Sequence, residues 1–469
     1  MECGFSKKIT TPKVGMPMAG SYEIRYAKGV LDDLHVRALA FSDGETKAAV
    51  ISVEICHMDT VIYDECRTRI ANENGVDRDS VIITLTHTHS GPETNAAAKH
   101  YLEDNPDNKK IMQEYVEFLK DRICDAAREA FLDLKPAKLY SAEGHAEDVN
   151  FVRSYRMADG TVQTNPGLDW NAYPDPSTCC PIPDNTGVVH PVGKPNDTVR
   201  LLKIEREGGR DVYVVNFSCH ATSVHTRKIC SDYPGLICST LEGAFGGEID
   251  CMFLLAPAGD VCQINRNPSE EEKRFLVEDN ENNSETRNKA KHIARVVSGE
   301  VLKMCMLAKE VKSDKVSFGM KELALPANKD DANYEEALKV VELHKAGRHH
   351  ELPYEGMALV TYLANANRIV RMKTAPDFFY HKIFAISVGD FALAGLPGEP
   401  FTEIGDRILD ASEYKATMLC TLTNAQTTYF ATTYALGEGG YEAAASNLGP
   451  GTDDVIVDEM SSLLKEIKN

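Results

Sequence analysis

Short runs of β-branched and apolar residues alternate with long amphipathic stretches along this 469-residue chain, and that alternation limits its fold more than any other feature. The runs at 48–54, 81–87, 212–220, 252–255 and 418–422 are each four to nine residues long and followed by turn-forming or polar residues, as strands are. Runs 383–388 and 391–396 flank Gly389-Asp390 and predict a hairpin. Between them, 111–134 places Ile111, Tyr115, Phe118, Leu119, Ile123, Ala126 and Ala130 at helical spacing, and 287–307 does the same with Ile293, Val297, Val301 and Met304. Strands interleaved with helices predict an α/β architecture, and the hairpin requires mixed rather than purely parallel sheets flanked by those helices.

No internal repeat or low-complexity tract is visible, so residues 1–469 are read as one large catalytic unit. The Pro- and Asp-rich segment 165–197 is either a domain boundary or an irregular wall of an active site. Segment 332–373 is charged with helical spacing and reads as a solvated helical insertion. Its His344, His349 and His350 leave a secondary metal site as the alternative.

The formal charge of −20, with no basic cluster to offset it, argues against nucleic acid and anionic bilayers as partners. The opening residues have no apolar segment behind their lysines, and no run reaches the roughly 18 apolar residues of a membrane span. Thirteen cysteines, an odd number without CxxC spacing, read as reduced thiols. We therefore expect a cytoplasmic protein acting on a small molecule, with homo-oligomerisation left open.

The chemistry gathers at strand ends. Thr86-His87-Thr88-His89-Ser90-Gly91-Pro92 places two imidazoles at i and i+2, on one face of an extended segment, a weak signal alone. The apolar run before Ser218-Cys219-His220 delivers another histidine where polar sequence begins, at the rim where α/β proteins build sites. Leu396-Pro397-Gly398-Glu399 puts a carboxylate directly after a strand. Neutral imidazoles and a carboxylate suit zinc with one position open for water. A buried hydrogen-bonded histidine and a helix cap are the alternatives for His220 and Glu399.

Residues 86–92 resemble the THTHSGP signature of the neutral ceramidases, and 216–223, continuing into Ser231-Asp232-Tyr233-Pro234-Gly235, resemble their second histidine segment. Leu396 to Phe401 is similar to the family's PGE segment. Asn424 to Tyr429, followed by Tyr441-Glu442-Ala443-Ala444, is similar to its terminal tyrosine block, and residues 11–20 and 33–38 resemble its opening segments. The resemblance implies zinc held by His87, His220, Glu399 and Tyr429. It also implies a catalytic His89 outside the ligand set, and Arg153 facing the metal to hold a developing oxyanion. Where ceramidases have serine in Gly-Asp-Val-Ser-Pro, this chain reads Gly259-Asp260-Val261-Cys262-Gln263, so Asp260 and Cys262 are assigned to the substrate pocket. No C-terminal sandwich domain of the ceramidase kind is expected. The chain looks like a short bacterial-type relative.

The implied activity is a metal-dependent amidohydrolase acting on a linear amide of a small N-acyl metabolite, with metal-activated water as nucleophile. A lactone or ester hydrolase and a ceramidase proper use the same tetrahedral intermediate. A zinc isomerase or lyase, a cysteine hydrolase built on Cys262 and a non-catalytic binding protein are the readings from other classes.

Overall fold

The computed structural model describes residues 1–20, 25–95, 106–167, 185–224, 226–272, 287–329, 333–425 and 427–468. Its first large sheet uses β1 (Glu2–Ile9), β2 (His35–Ser42), β3 (Lys47–Val53), β4 (Val81–Leu85), β5 (Lys135–His145), β6 (Thr198–Arg206), β7 (Asp211–Phe217), β8 (Ile249–Leu255) and β9 (Lys309–Val311). The strand order is β8-β7-β6-β5-β1-β2-β3-β4, with β9 paired to β5. A second sheet runs β10 (Val316–Pro326), β11 (Phe378–Val388), β12 (Phe391–Gly395) and β13 (Ala416–Cys420). The helices that matter here are α1 (Thr60–Asn74), α2 (Pro106–Leu132), α3 (Asp232–Ala244), α4 (Asn288–Met304), α5 (Tyr334–Lys345), α6 (Gly356–Met372), α7 (Thr402–Ala411) and α8 (Thr452–Lys468).

One topology occurs three times. Three antiparallel strands are followed by a helix, a fourth strand parallel to the third, and a second helix. The sets are β1-β2-β3-α1-β4-α2, β5-β6-β7-α3-β8-α4 and β10-β11-β12-α7-β13-α8. The sequence shows no such repeat, because strand pairing constrains side-chain face and burial but not residue identity. The first two units pair edge to edge at Glu2↔Pro136 and Cys3↔Lys135.

Burial explains the layering. One face of the long sheet (Phe5, Phe41, Val50, Leu202, Val214, Leu254) packs on one face of the short sheet (Phe384, Ile386, Leu393, Met418). The outer faces are covered by α1 and α2, by α3 and α4, and by α7 and α8. Strands buried on both faces read as continuous apolar runs, which is why Val81–Leu85 has no polar alternation apart from Thr84. The α/β class, the mixed sheets and the single integrated unit agree with the sequence reading. The expected hairpin forms, with Val388↔Phe391 as its last pair.

Within the 332–373 stretch, residues 333–373 fold as α5 packed on α6, with a small apolar contact of their own through Val340, Val341 and Ile369. His344 Nδ1 and His349 Nε2 lie 2.6 Å apart on exposed stacked rings, and among the described residues no third ligand-type side chain joins them. Most of 165–197, from 168 to 184, lies outside the described residues.

Candidate metal centre

The site lies where third and fourth strands end. β3 leads to Cys56-His57, β4 to His87 and His89, β7 to His220, β12 to Glu399, and the segment after β13 to Tyr429. Side chains of successive units bind the ends together. Asn424 donates from its backbone to the Ile83 carbonyl (2.9 Å), accepts from Ile83 N (2.8 Å) and donates to Val81 O (3.2 Å), closing the free edge of β4. Asn216 Nδ2 donates to Leu254 O and Leu419 O, both at 2.8 Å. Glu399 and Tyr429 then pair in a short parallel ladder. Gly398, at φ +62°, is required there, since a Cβ would meet Phe430 and the Thr428 carbonyl within 2.4 Å.

Three imidazoles converge through their Nε2 atoms. His87 and His220 are 3.1 Å apart, His220 and His89 3.1 Å, and His89 and His87 3.3 Å. The Nδ1 of His87 donates to Cys56 O (2.6 Å) and that of His89 to Gly20 O (2.8 Å), so in their neutral forms both rings offer Nε2 lone pairs to the centre. His220 is held on its Nδ1 edge by Arg153 Nη2 at 2.7 Å. Three neutral rings therefore bring at most one proton to three mutual contacts. Glu399 Oε2, 3.3 Å from His87 Nε2, is buried without a hydrogen-bond partner among the described residues. A set of lone pairs facing one another fits a cation at their centre, and His87, His220 and Glu399 bring donor atoms within 4.8 Å of one another.

The electrostatics separate the two rings: His87 is pushed toward the imidazolium and His220 toward the neutral form. Burial opposes a charge on His87, but the Glu399 carboxylate and Cys56 outweigh it and raise this ring well above the usual imidazole value. Burial and the adjacent Arg153 guanidinium hold His220 well below that value, in the neutral form a ligand needs. Burial, then Glu399, push the Tyr429 phenol well up.

Arg153 is 7% exposed and almost fully engaged. Nη1 meets Glu442 Oε1 at 3.1 Å, Nη2 donates to Gly259 O at 2.9 Å, and the guanidinium lies 5.9 Å from the Tyr429 ring centre. Its Nε is buried with no acceptor among the described residues. Glu442 is itself fixed by Thr164 Oγ1 at 2.7 Å.

Of the residues singled out from sequence, His87, His89, His220, Glu399, Arg153 and Tyr429 come together. Cys262 is buried one strand away, pairing with Phe151 beside Arg153, with its Sγ 3.8 Å from Asn165 Oδ1. Burial raises its thiol, against the lowering influence of Arg153. Asp260, assigned from the sequence to the substrate pocket, makes its contacts with the third unit. Its two oxygens accept from Thr402 N (2.7 Å) and Thr402 Oγ1 (2.8 Å), so the carboxylate anchors the start of α7. Cys56, His57, Glu93 and Glu442 received no role from the sequence. Cys56 Sγ is 3.9 Å from His87 Nδ1, and the His57 ring pairs with the buried Glu93 carboxylate. The rule that found His220, a polar residue just past an apolar strand, also finds Cys56-His57 after β3. Among the described residues the eleven cysteines are free and buried, and no helix is long and apolar enough to cross a membrane.

Residues 3–260 match the model of the neutral/alkaline non-lysosomal ceramidase N-terminal domain. The fold is similar to the crystal structure of neutral ceramidase from Pseudomonas aeruginosa, with TM-score 0.69 and 16% identity, over 100% of this chain and 74% of that one. It is also similar to a ceramidase complexed with C2, with TM-score 0.67 and 16% identity, over 99% and 74% of the two chains. The matched region carries the HxH strand end, Arg153, His220 and Asp260, and the chain belongs to the neutral/alkaline non-lysosomal ceramidase family.

Proposed function

We propose that the chain is a zinc-dependent amidohydrolase that cleaves a linear N-acyl bond of a small molecule with activated water. The observation that carries this reading is the trio of Nε2 atoms within 3.3 Å, beside a buried Glu399 oxygen 3.3 Å from His87 Nε2. Zinc held by His87, His220 and Glu399, with Tyr429 completing the set, would supply a Lewis acid for the scissile carbonyl and lower the pKa of a bound water toward ~7.

The protein's own groups have separable tasks. Arg153 Nε, the buried donor without an acceptor, is suited to the negative charge that develops on the carbonyl oxygen. Glu442 and the Gly259 carbonyl hold the guanidinium in place by its other nitrogens. Burial and Glu399 raise the Tyr429 phenol, so that when it is not bound to the metal it stays protonated and serves as a second donor to that oxygen. His89 Nε2, with Nδ1 tied to Gly20, accepts a proton at the centre and returns it to the departing amine. A cytoplasmic location accords with buried free thiols.

The test is hydrolysis of N-acyl amino acids, N-acyl sugars, lactones and short-chain ceramides by protein of measured metal content. Turnover of an amide that is lost on chelation and restored by zinc is expected. Full activity in metal-free protein overturns the reading, and turnover confined to lactones would replace the amide with an ester.

A further inference from the structure

His87 stands at φ +66°, in the left-handed region that a residue with a bulky side chain enters only where its surroundings hold it. Two bonds to the segment after β3 do so. Its backbone N–H donates to the Ile55 carbonyl (3.0 Å) and its Nδ1 to the Cys56 carbonyl (2.6 Å). The orientation of the Cys56-His57 peptide therefore decides where the Nε2 lone pair of His87 points. That peptide lies beyond Val53, the last residue of β3, so strand pairing does not set its orientation.

Residues 93–95, which continue the Ser90-Gly91-Pro92 end of the histidine motif, grip it from the side. Glu93 Oε1 closes on His57 Nε2 in a short contact, and Thr94 Oγ1 donates to the His57 carbonyl at 2.6 Å. Glu93 is anchored in turn: its N–H donates to the Pro17 carbonyl (2.8 Å), and its Oε1 accepts from Asn95 N (3.0 Å). The His57 and Glu93 side chains are 12% and 0% exposed. Burial opposes a charge on His57, but bonds to the Cys56 side chain and to Glu93 outweigh it and push the ring up to about 10. It therefore carries its proton at neutral pH beside the Glu93 carboxylate. Burying such a pair costs desolvation that apolar packing would avoid, so its use lies in what it orients. The Cys56 thiol, 3.9 Å from His87 Nδ1 and bonded to the His57 ring, is a second link along the same path.

We propose that His57 and Glu93 are a positioning pair: by fixing the Cys56-His57 peptide they hold the Cys56 carbonyl against His87 Nδ1, and so set how tightly the centre keeps its metal. The metal rests on the hydrolase reading above; the contacts that fix His87 do not.

The test is the zinc dissociation constant of the full chain, measured by competition with a chromophoric chelator, in Glu93→Gln, His57→Gln and their double variant. Each single change should weaken zinc binding about 10–100-fold, the span expected for loss of a group that orients a ligand. The double variant should bind no more weakly than the weaker single one, because the two side chains act as a unit. Glu93→Asp, which keeps the charge with a shorter reach, should fall between Glu93→Gln and the wild type. Asp133→Asn is the control. That carboxylate holds Arg206 Nη1 (2.5 Å) and the Phe5 N–H (3.2 Å) beside the join of the first two units. Its loss should lower stability in urea and leave zinc affinity within about twofold. Zinc affinity unmoved in both single variants, or lowered as far by Asp133→Asn, overturns the inference. Should the glutamine variants fail to fold, wild-type affinity in Glu93→Asp overturns it instead. Weakened zinc binding in the variants of a protein that turns over no amide would remove the hydrolase reading and leave the positioning role. Amide turnover with a zinc affinity that neither variant moves would do the reverse.

Discussion

Glu399 and Tyr429 are register partners in a two-residue parallel ladder, so a carboxylate and a phenol thirty residues apart are held side by side by backbone pairing. Glu399→Gln keeps the shape and removes the anion that faces His87 3.3 Å away. Metal content measured by elemental analysis should fall at least tenfold, as for His220→Ala. Retention of a full equivalent in both variants would place the metal elsewhere.

His89 Nε2 lies 3.3 Å from His87 Nε2 and 3.1 Å from His220 Nε2, and we assign it to proton transfer and not to ligation. His89→Ala should keep its metal within about twofold and lose turnover by roughly 10²–10⁴-fold. A loss of metal equal to that of His87→Ala would make it a ligand.

Gly20 sits at φ +77°, and a Cβ there would be 2.5 Å from His89 Cγ. Gly20→Ala is therefore expected to displace this ring, lowering kcat while metal content holds. Unchanged kcat would mean that the position of His89 does not matter to the chemistry.

Arg153 and Glu442 form a pair buried to 9% and 1% side-chain exposure. Removing one charge strands the other, so Glu442→Gln should destabilise by about 3–5 kcal/mol, read from urea unfolding. The double change Arg153→Met with Glu442→Leu should cost less than the sum of the single changes. Additive effects would show that the two side chains do not interact.

Asp260 gives a pH dependence of known sign. Burial, opposed by its bonds to Thr402, pushes its carboxyl from 3.8 up to about 6. Between those values the folded state binds more proton than the unfolded chain, so this group weakens folding as pH rises through that window and by a constant amount above it. Relative to Asp260→Asn, the wild type should lose roughly 1–3 kcal/mol between pH 4 and 6.5. A flat difference across that range would give Asp260 an ordinary titration.

The sequence by itself determined the α/β class, seven of the thirteen strands of the two large sheets, the helices Pro106–Leu132 and Asn288–Met304, and the strand-end residues that the fold brings together. Those signals are local: a run such as Val81–Leu85 can be satisfied only by burial on both faces, and a polar residue directly after it must lie at a rim. The threefold topology, the closing of β4 by Asn424 and the Arg153–Glu442 pair were decided by tertiary structure. So was the turning of Asp260 toward Thr402. Each depends on which strand ends meet across hundreds of residues. Asp260 shows why: its carboxylate accepts from the Thr402 N–H at the start of α7, and the packing of the third unit against the second places that donor within reach.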